Sequence, residues 1–419
     1  MSKVLIQLLL IVAGSAINFG LPVLFGIEEY GRFLKSAVLV LIVHRVIDIL
    51  NEPLLSVSSK DEIFLYAVAN SLLLLFLVGG GRLFFNFEID FFLLFPLLLS
   101  GCYSIFLFRS EKLSALKGYL LCYLTIFAFL ALFVKGGGQI SVSRYLQVLS
   151  YVSVGVSLIF IEAPTSCKID MQMFFTCLKR FPIGLGVGLS TLFFSYLLIW
   201  ASKSYLADSE LSGLKILFAG LQASLMLYPM SMKHVQQSFL KNKSSSLLPQ
   251  LLFSMIYFLL ISIVLTLLDF FARRYFFLNL PKAFFMFLLP AIPVFFLVIL
   301  LERFLITRNQ MKLLAITSAA FFLPTCSYVF IESVPLSGLL RMSYYLLVCY
   351  GGVLTLYAAR FCEEKKGLLS LVGITLLILS GTYGSTGFTT LISYIFLVVF
   401  LALFLKNKFY FSFKMLLKK

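Results

Sequence analysis

The sequence predicts an all-α polytopic membrane protein with about fourteen transmembrane helices, and three observations carry that expectation. Hydrophobic residues make up 61% of the chain and charged residues only 12%. Mean hydropathy is +1.03. Apolar runs of bilayer-crossing length recur throughout the 419 residues, separated by short polar or Gly/Pro breaks. Soluble domains carry about 25% charged residues, so this chain has too little polar surface to coat a water-exposed globule, and a cytosolic enzyme is excluded. Its 47 Phe and 20 Tyr, spread through those runs, exclude a disordered chain or a disulfide scaffold. At about 20 residues per crossing, the length holds roughly 12–14 helices and little else.

Taken in order, the runs place helices at 4–25, 35–57, 63–81, 91–108, 118–134, 145–163, 181–201, 212–232, 247–272, 283–301, 313–331, 339–359, 368–384 and 387–405. The first follows Lys3 and contains Gly14-Ser15-Ala16, small residues of the kind found at signal cleavage sites. Its apolar run continues to Phe25, too long for a signal-peptide core, so it reads as a retained helix. Between the last two spans, Thr382-Tyr383-Gly384-Ser385-Thr386-Gly387 is either a tight turn or the break in a re-entrant hairpin.

With the N-terminus inside, about 22 basic residues fall on the inner side and about 11 on the outer, the bias that cytoplasmic retention of positive charge produces. Both termini are then cytoplasmic. The net charge of +16 is scattered over membrane-flanking loops and forms no groove with interleaved aromatics, so nucleic acid is not expected as a partner. Residues 406–419, basic with Phe409, Tyr410, Phe411 and Phe413, fit a tail lying on the anionic inner leaflet. Seven cysteines form no C-x-x-C pair and sit mostly in apolar spans as small hydrophobes. His occurs only at 44 and 234, so no histidine-based metal site and no cofactor are expected.

An internal repeat organises the chain. Glu28-Glu29-Tyr30-Gly31-Arg32-Phe33-Leu34 and Glu210-Leu211-Ser212-Gly213-Leu214-Lys215-Ile216 both place Glu three residues before Gly, then a basic residue, then a long helix. A Pro/Gly-interrupted span precedes each copy: Gly14, Gly20 and Pro22 in one case, Pro182, Gly184, Gly186 and Gly188 in the other. An even number of helices separates the copies, so both halves enter the membrane in the same sense, as in transporters whose substrate path runs between parallel repeats. The expected organisation is a six-helix lobe at 1–163, a cytoplasmic linker at 164–180, a second six-helix lobe at 181–359, an additional helix pair at 360–405 and the tail at 406–419.

Asn18-Phe19-Gly20-Leu21-Pro22, followed by Phe25-Gly26-Ile27-Glu28-Glu29-Tyr30-Gly31-Arg32-Phe33, resembles the opening of the Wzx-type O-antigen and polysaccharide flippases of the MOP superfamily, which also contains the MATE exporters. Asp48-Ile49-Leu50 and the stretch Gly213 to Gly220 sit where such proteins have comparable features. The motif match covers a small part of the chain, while length, helix number and repeat agree over all of it. The resemblance implies a MATE-like pair of lobes in the bacterial inner membrane that moves an undecaprenyl-pyrophosphate-linked oligosaccharide to the periplasmic leaflet by alternating access, often with ion coupling. It leaves open whether the polymerase and chain-length regulator of the same pathway are contacted. Many relatives have twelve helices, which leaves the role of residues 366–405 open.

Ionisable residues within a bilayer are costly and are therefore functional candidates. His44, Arg45, Asp48, Asn51 and Glu52 concentrate in the second span, with His44, Asp48 and Glu52 spaced by four along one helical face. Arg45 suits a bidentate contact to phosphate oxygens. Asp48, Glu52 or His44 could exchange a proton or sodium ion if transport is coupled. The alternative is a buried Arg45–Asp48 pair that only orients the helix. Lys215 and Gln222, seven apart, line the cavity on one reading, and Lys215 snorkels to outer headgroups on the other. Asp269 and Arg341, near outer helix ends, form a gating pair or are simply solvated. Asn18 and Asn70 line the cavity or hydrogen-bond a neighbouring helix. The glycines of 181–201 form no nucleotide fingerprint, so the sequence gives no basis for ATP-driven transport.

Two other functions compete with the flippase expectation. A membrane polymerase of this pathway usually carries a large arginine-bearing periplasmic loop, and an acyltransferase needs a catalytic histidine, for which His44 is the one intramembrane option. A MATE-type drug exporter would share the architecture but line its cavity with acidic residues. Net positive charge favours the flippase and net negative charge the exporter.

Overall fold

The computed structural model describes residues 26–51, 113–136, 171–226, 228, 232–241, 247–276, 282–362 and 365–382, with isolated residues between 9 and 80, 148 and 155, and 392 and 401. Every secondary-structure element among them is helical. Among the described residues, four helices are long and apolar enough to cross a membrane, or five if one bent pair counts as a single span. The protein is an all-α membrane protein.

The helices are α1 (Ile27–Asn51), α2 (Leu113–Lys135), α3 (Met171–Val187), α4 (Leu189–Leu192), a π-helical turn (Phe193–Leu197), α5 (Leu198–Ser202), α6 (Asp208–Met226), α7 (Met232–Lys241), α8 (Leu247–Phe276), α9 (Lys282–Thr307), α10 (Met311–Ile331), α11 (Leu336–Ala359) and α12 (Lys365–Thr382). They fall into two compact units: unit 1 is Met1–Ala219 with Phe322–Ser333, and unit 2 is Gly220–Phe321 with Val334–Lys419.

In unit 1, α1 packs against α3, α4, the π turn and α5. Its buried residues Tyr30, Phe33, Leu34, Ala37 and Val38 recur at i, i+3, i+4, i+7 and i+8, which is one helical face. The α3-to-α5 segment bends by 56° between Phe181–Val187 and Leu189–Ser202. Pro182 removes a donor from α3, Gly188 supplies a side-chain-free bend, and the π turn widens the helix just beyond it. The wide turn sends two successive aromatics inward: Phe193 and Phe194 are fully buried against Phe322 of α10, and Phe194 meets Phe218 of α6 edge-on.

In unit 2, α9 is central and packs on α7, α8, α11 and α12. It is apolar on every side, so it is buried on every side from Leu289 to Glu302. Pro290 and Pro293 lie inside it. The missing Pro293 N–H orphans the carbonyl four residues back, and the buried Ser262 hydroxyl of α8 donates to that Leu289 oxygen at 3.1 Å. Tyr344 of α11 likewise donates to Leu379 O, one of the last carbonyls of α12 that lack an intrahelical donor. Aromatic packing completes the interior, with Tyr228 stacked on Phe258 and tilted against Phe296.

Candidate functional site

Two places concentrate chemistry, one in each unit. In unit 1 the two helix starts matched as a repeat meet. Gly26 adopts φ +83° ahead of α1, a conformation that favours glycine, and its carbonyl accepts the first helical bond from Tyr30 N. Gly31 lies against the backbone of Asp208, where a Cβ would overlap the carbonyl. Ser212 of α6 donates to Ile27 O of α1 at 2.5 Å. Around this contact Lys35 Nζ pairs with Asp208 at 2.7 Å, Arg32 reaches Asp208 at 3.6 Å, and Glu29 holds Arg32 at 2.8 Å. Glu210 turns back to accept from Ala207 N at 3.0 Å, so acidic side chains serve the amino ends of both helices. Two glycines of the motif thus have a physical reason: one sets the turn, the other admits the neighbouring helix.

Two turns into α6, Lys215 is only 4% exposed, and its ammonium lies 3.9 Å from the centre of the Tyr196 ring on the π turn. A snorkelling lysine would keep its nitrogen in water or headgroups; this one is held inside unit 1 by a cation–π contact. No carboxylate among the described residues pairs with it.

The other predicted residues are placed as follows. Arg45 is half-buried on α1. His44 and Asp48 share that helix, but their side chains lie outside the described residues, as do Glu52, Asn18 and Asn70 altogether. Arg45 is 18 residues along α1, about 27 Å from its start, whereas Lys215 is about 10 Å from the start of α6. The two cations therefore stand at different distances from the shared helix starts. Gln222 is half-buried on α6, seven residues beyond Lys215 and on its face. Asp269 lies on α8 with its side chain outside the described residues, and Arg341 on α11 is exposed, its guanidinium 5.9 Å from the Tyr345 ring.

Unit 2 holds the group that the sequence reading missed. The span expected to stop at 301 runs on to Thr307, which places Glu302 inside α9 and 6% exposed. Tyr350 of α11 donates to Glu302 Oε1 at 2.9 Å, and Ser318 of α10 lies 2.6 Å from the Tyr350 oxygen. A phenol has one proton, so Ser318 is the donor in the second bond. Three helices thus converge on one carboxylate through two hydroxyls. The signal in the sequence was the resumption of apolar residues, Phe304-Leu305-Ile306, after Glu302-Arg303.

Among known protein families, curated proteins and solved structures, none matches this chain.

Proposed function

We propose that this protein is a flippase that carries an undecaprenyl-pyrophosphate-linked oligosaccharide across the bacterial inner membrane by alternating access, with both termini cytoplasmic and no enzymatic step. The observation that carries the reading is the buried Lys215 ammonium. An anionic diphosphate headgroup must cross about 30 Å of hydrocarbon, and it needs fixed positive charge away from the membrane surface, where water and lipid headgroups cannot neutralise it. Arg45, half-buried far along α1, offers a second such charge at another height in unit 1. The Asn18-to-Phe33 motif supports the same substrate class by resemblance. The four to five candidate spans among the described residues and their all-helical architecture are compatible with a two-lobe plan of about fourteen helices for this chain.

The test is deletion of the gene followed by lipid analysis. Undecaprenyl-linked units should accumulate on the cytoplasmic face, and a plasmid copy carrying Lys215→Met or Arg45→Ala should fail to restore surface polysaccharide at wild-type abundance. Full display with both variants would remove the reading. One observation favours a second reading, a MATE-type exporter: the acidic side chain of Glu302, buried among apolar helices. That reading requires drug sensitivity on deletion, with no lipid intermediate accumulating.

A further inference from the structure

We infer that Glu302 is a reversible proton-binding site, with Tyr350 and Ser318 as its hydrogen-bonding partners, whatever cargo the protein carries. An ionisable side chain inside a membrane helix is expensive to keep there, which makes it a functional candidate by default. Here the carboxylate lies five residues inside the end of α9, about 7 Å of helix. Ser318 and Tyr350 lie within about three turns of the ends of α10 and α11. The Ser318–Tyr350–Glu302 chain therefore runs through the half of unit 2 nearest the Arg308–Gln310 turn.

Tyr350 faces Glu302 from α11, and Ser318 of α10 reaches it through Tyr350. On α9 itself Arg303 and Arg308 are half-buried, and Arg308 stacks on Phe304. Among the described side chains of α8 the one titratable group is Tyr257, which sits in the aromatic stack around Tyr228. Those of α7 include none, and Lys365 and Lys366 of α12 are exposed. Lys312 of α10 and Arg360 after α11 are also exposed.

The step is proton uptake alone: hydronium gives a proton to a Glu302 carboxylate oxygen, one O–H bond forms, water leaves, and the side chain changes from minus one to neutral. Nothing is oxidised or reduced. The charged form accepts a stronger hydrogen bond from Tyr350 than the neutral form does, so uptake weakens the tie between α9 and α11.

The test is a pH-titrated infrared difference spectrum of the full-length protein in lipid nanodiscs. In the wild-type minus Glu302→Gln difference, which cancels the other carboxylates among the 18 Asp and Glu, a protonated-carboxyl band should grow on acidification, and that component should move in frequency in Tyr350→Phe. A carboxylate that only ties helices together keeps one protonation state and adds no pH-dependent band to that difference. A wild-type minus Glu302→Gln difference with no titrating carboxyl band overturns the inference. If Glu302→Gln fails to fold, Tyr350→Phe decides: a shifted band supports the site and an unmoved one overturns it. None of these readouts depends on lipid-linked substrate, so their failure and the failure of the flippase reading are separate results.

Discussion

At the start of α1 and α6, several charged side chains share a partly exposed rim, where Asp208 is met by both Arg32 and Lys35. Inside unit 2, the Glu302 carboxylate is buried and accepts from the Tyr350 phenol hydroxyl. At the rim the close approach of the helices depends on backbone contact at Gly31 and the charges decorate it. In the interior the polar group is itself the tie between helices. Deleting charge should therefore matter little in the first region and more in the second, while adding bulk should matter most in the first.

The largest effect is expected for Gly31→Ala, whose Cβ would overlap the Asp208 backbone. Backbone cannot yield as a flexible side chain can, so α1 and α6 must separate, at a cost of about 3 kcal/mol or more. Thermal unfolding in detergent and abundance in the membrane both report it. Next come Glu302 and Tyr350. Glu302→Leu leaves the buried Tyr350 hydroxyl without its acceptor, and Tyr350→Phe leaves the carboxylate without that donor, each costing about 2 kcal/mol. The double variant should cost less than the sum, with a coupling of about 1 kcal/mol. Additive costs would mean that the two groups do not act as a pair.

A smaller effect is expected where Ser262 serves the broken ladder of α9. Ser262→Ala should cost about 1 kcal/mol by orphaning Leu289 O. In a Pro293→Ala background the helix supplies its own N–H to that carbonyl, and the same substitution should become nearly neutral. An equal cost in both backgrounds would show that Ser262 stabilises by packing instead.

What could be read from the sequence follows the same division. The spans 247–272, 313–331 and 339–359 agree closely with α8, α10 and α11, because long apolar runs bounded by charged or Pro-containing breaks fix both type and ends. Helix α1 starts at Ile27 rather than 35, since Glu28 and Glu29 are favourable in a first turn although they read as loop by hydropathy. Helix α7 falls in a stretch read as connection, being short and amphipathic rather than apolar. The repeat motif pointed to both helix starts, but not to their direct contact, which needs the fold. Glu302 was missed for the matching reason: the partner that makes its burial tolerable lies 48 residues away on another helix, and no local pattern reports it. Lys215 was singled out, yet its burial depended on Tyr196 and the π turn, which hydropathy does not show.

The smallest effect is expected for Asp208→Asn. Its ion pairs join side chains that are between 24% and 60% exposed, and such pairs contribute about 0.2–1 kcal/mol because water screens them and two long side chains lose freedom. Asparagine keeps the size of the side chain and leaves the Gly31 contact intact. The variant should therefore lose under about 1 kcal/mol at low salt, and the difference should vanish near 1 M salt, where the Debye length falls to about 3 Å. The Glu302–Tyr350 coupling, shielded from solvent, should stay constant over the same salt series. A salt-independent loss at Asp208 would instead make the rim a buried lock between α1 and α6, and the contrast between the two regions would fail.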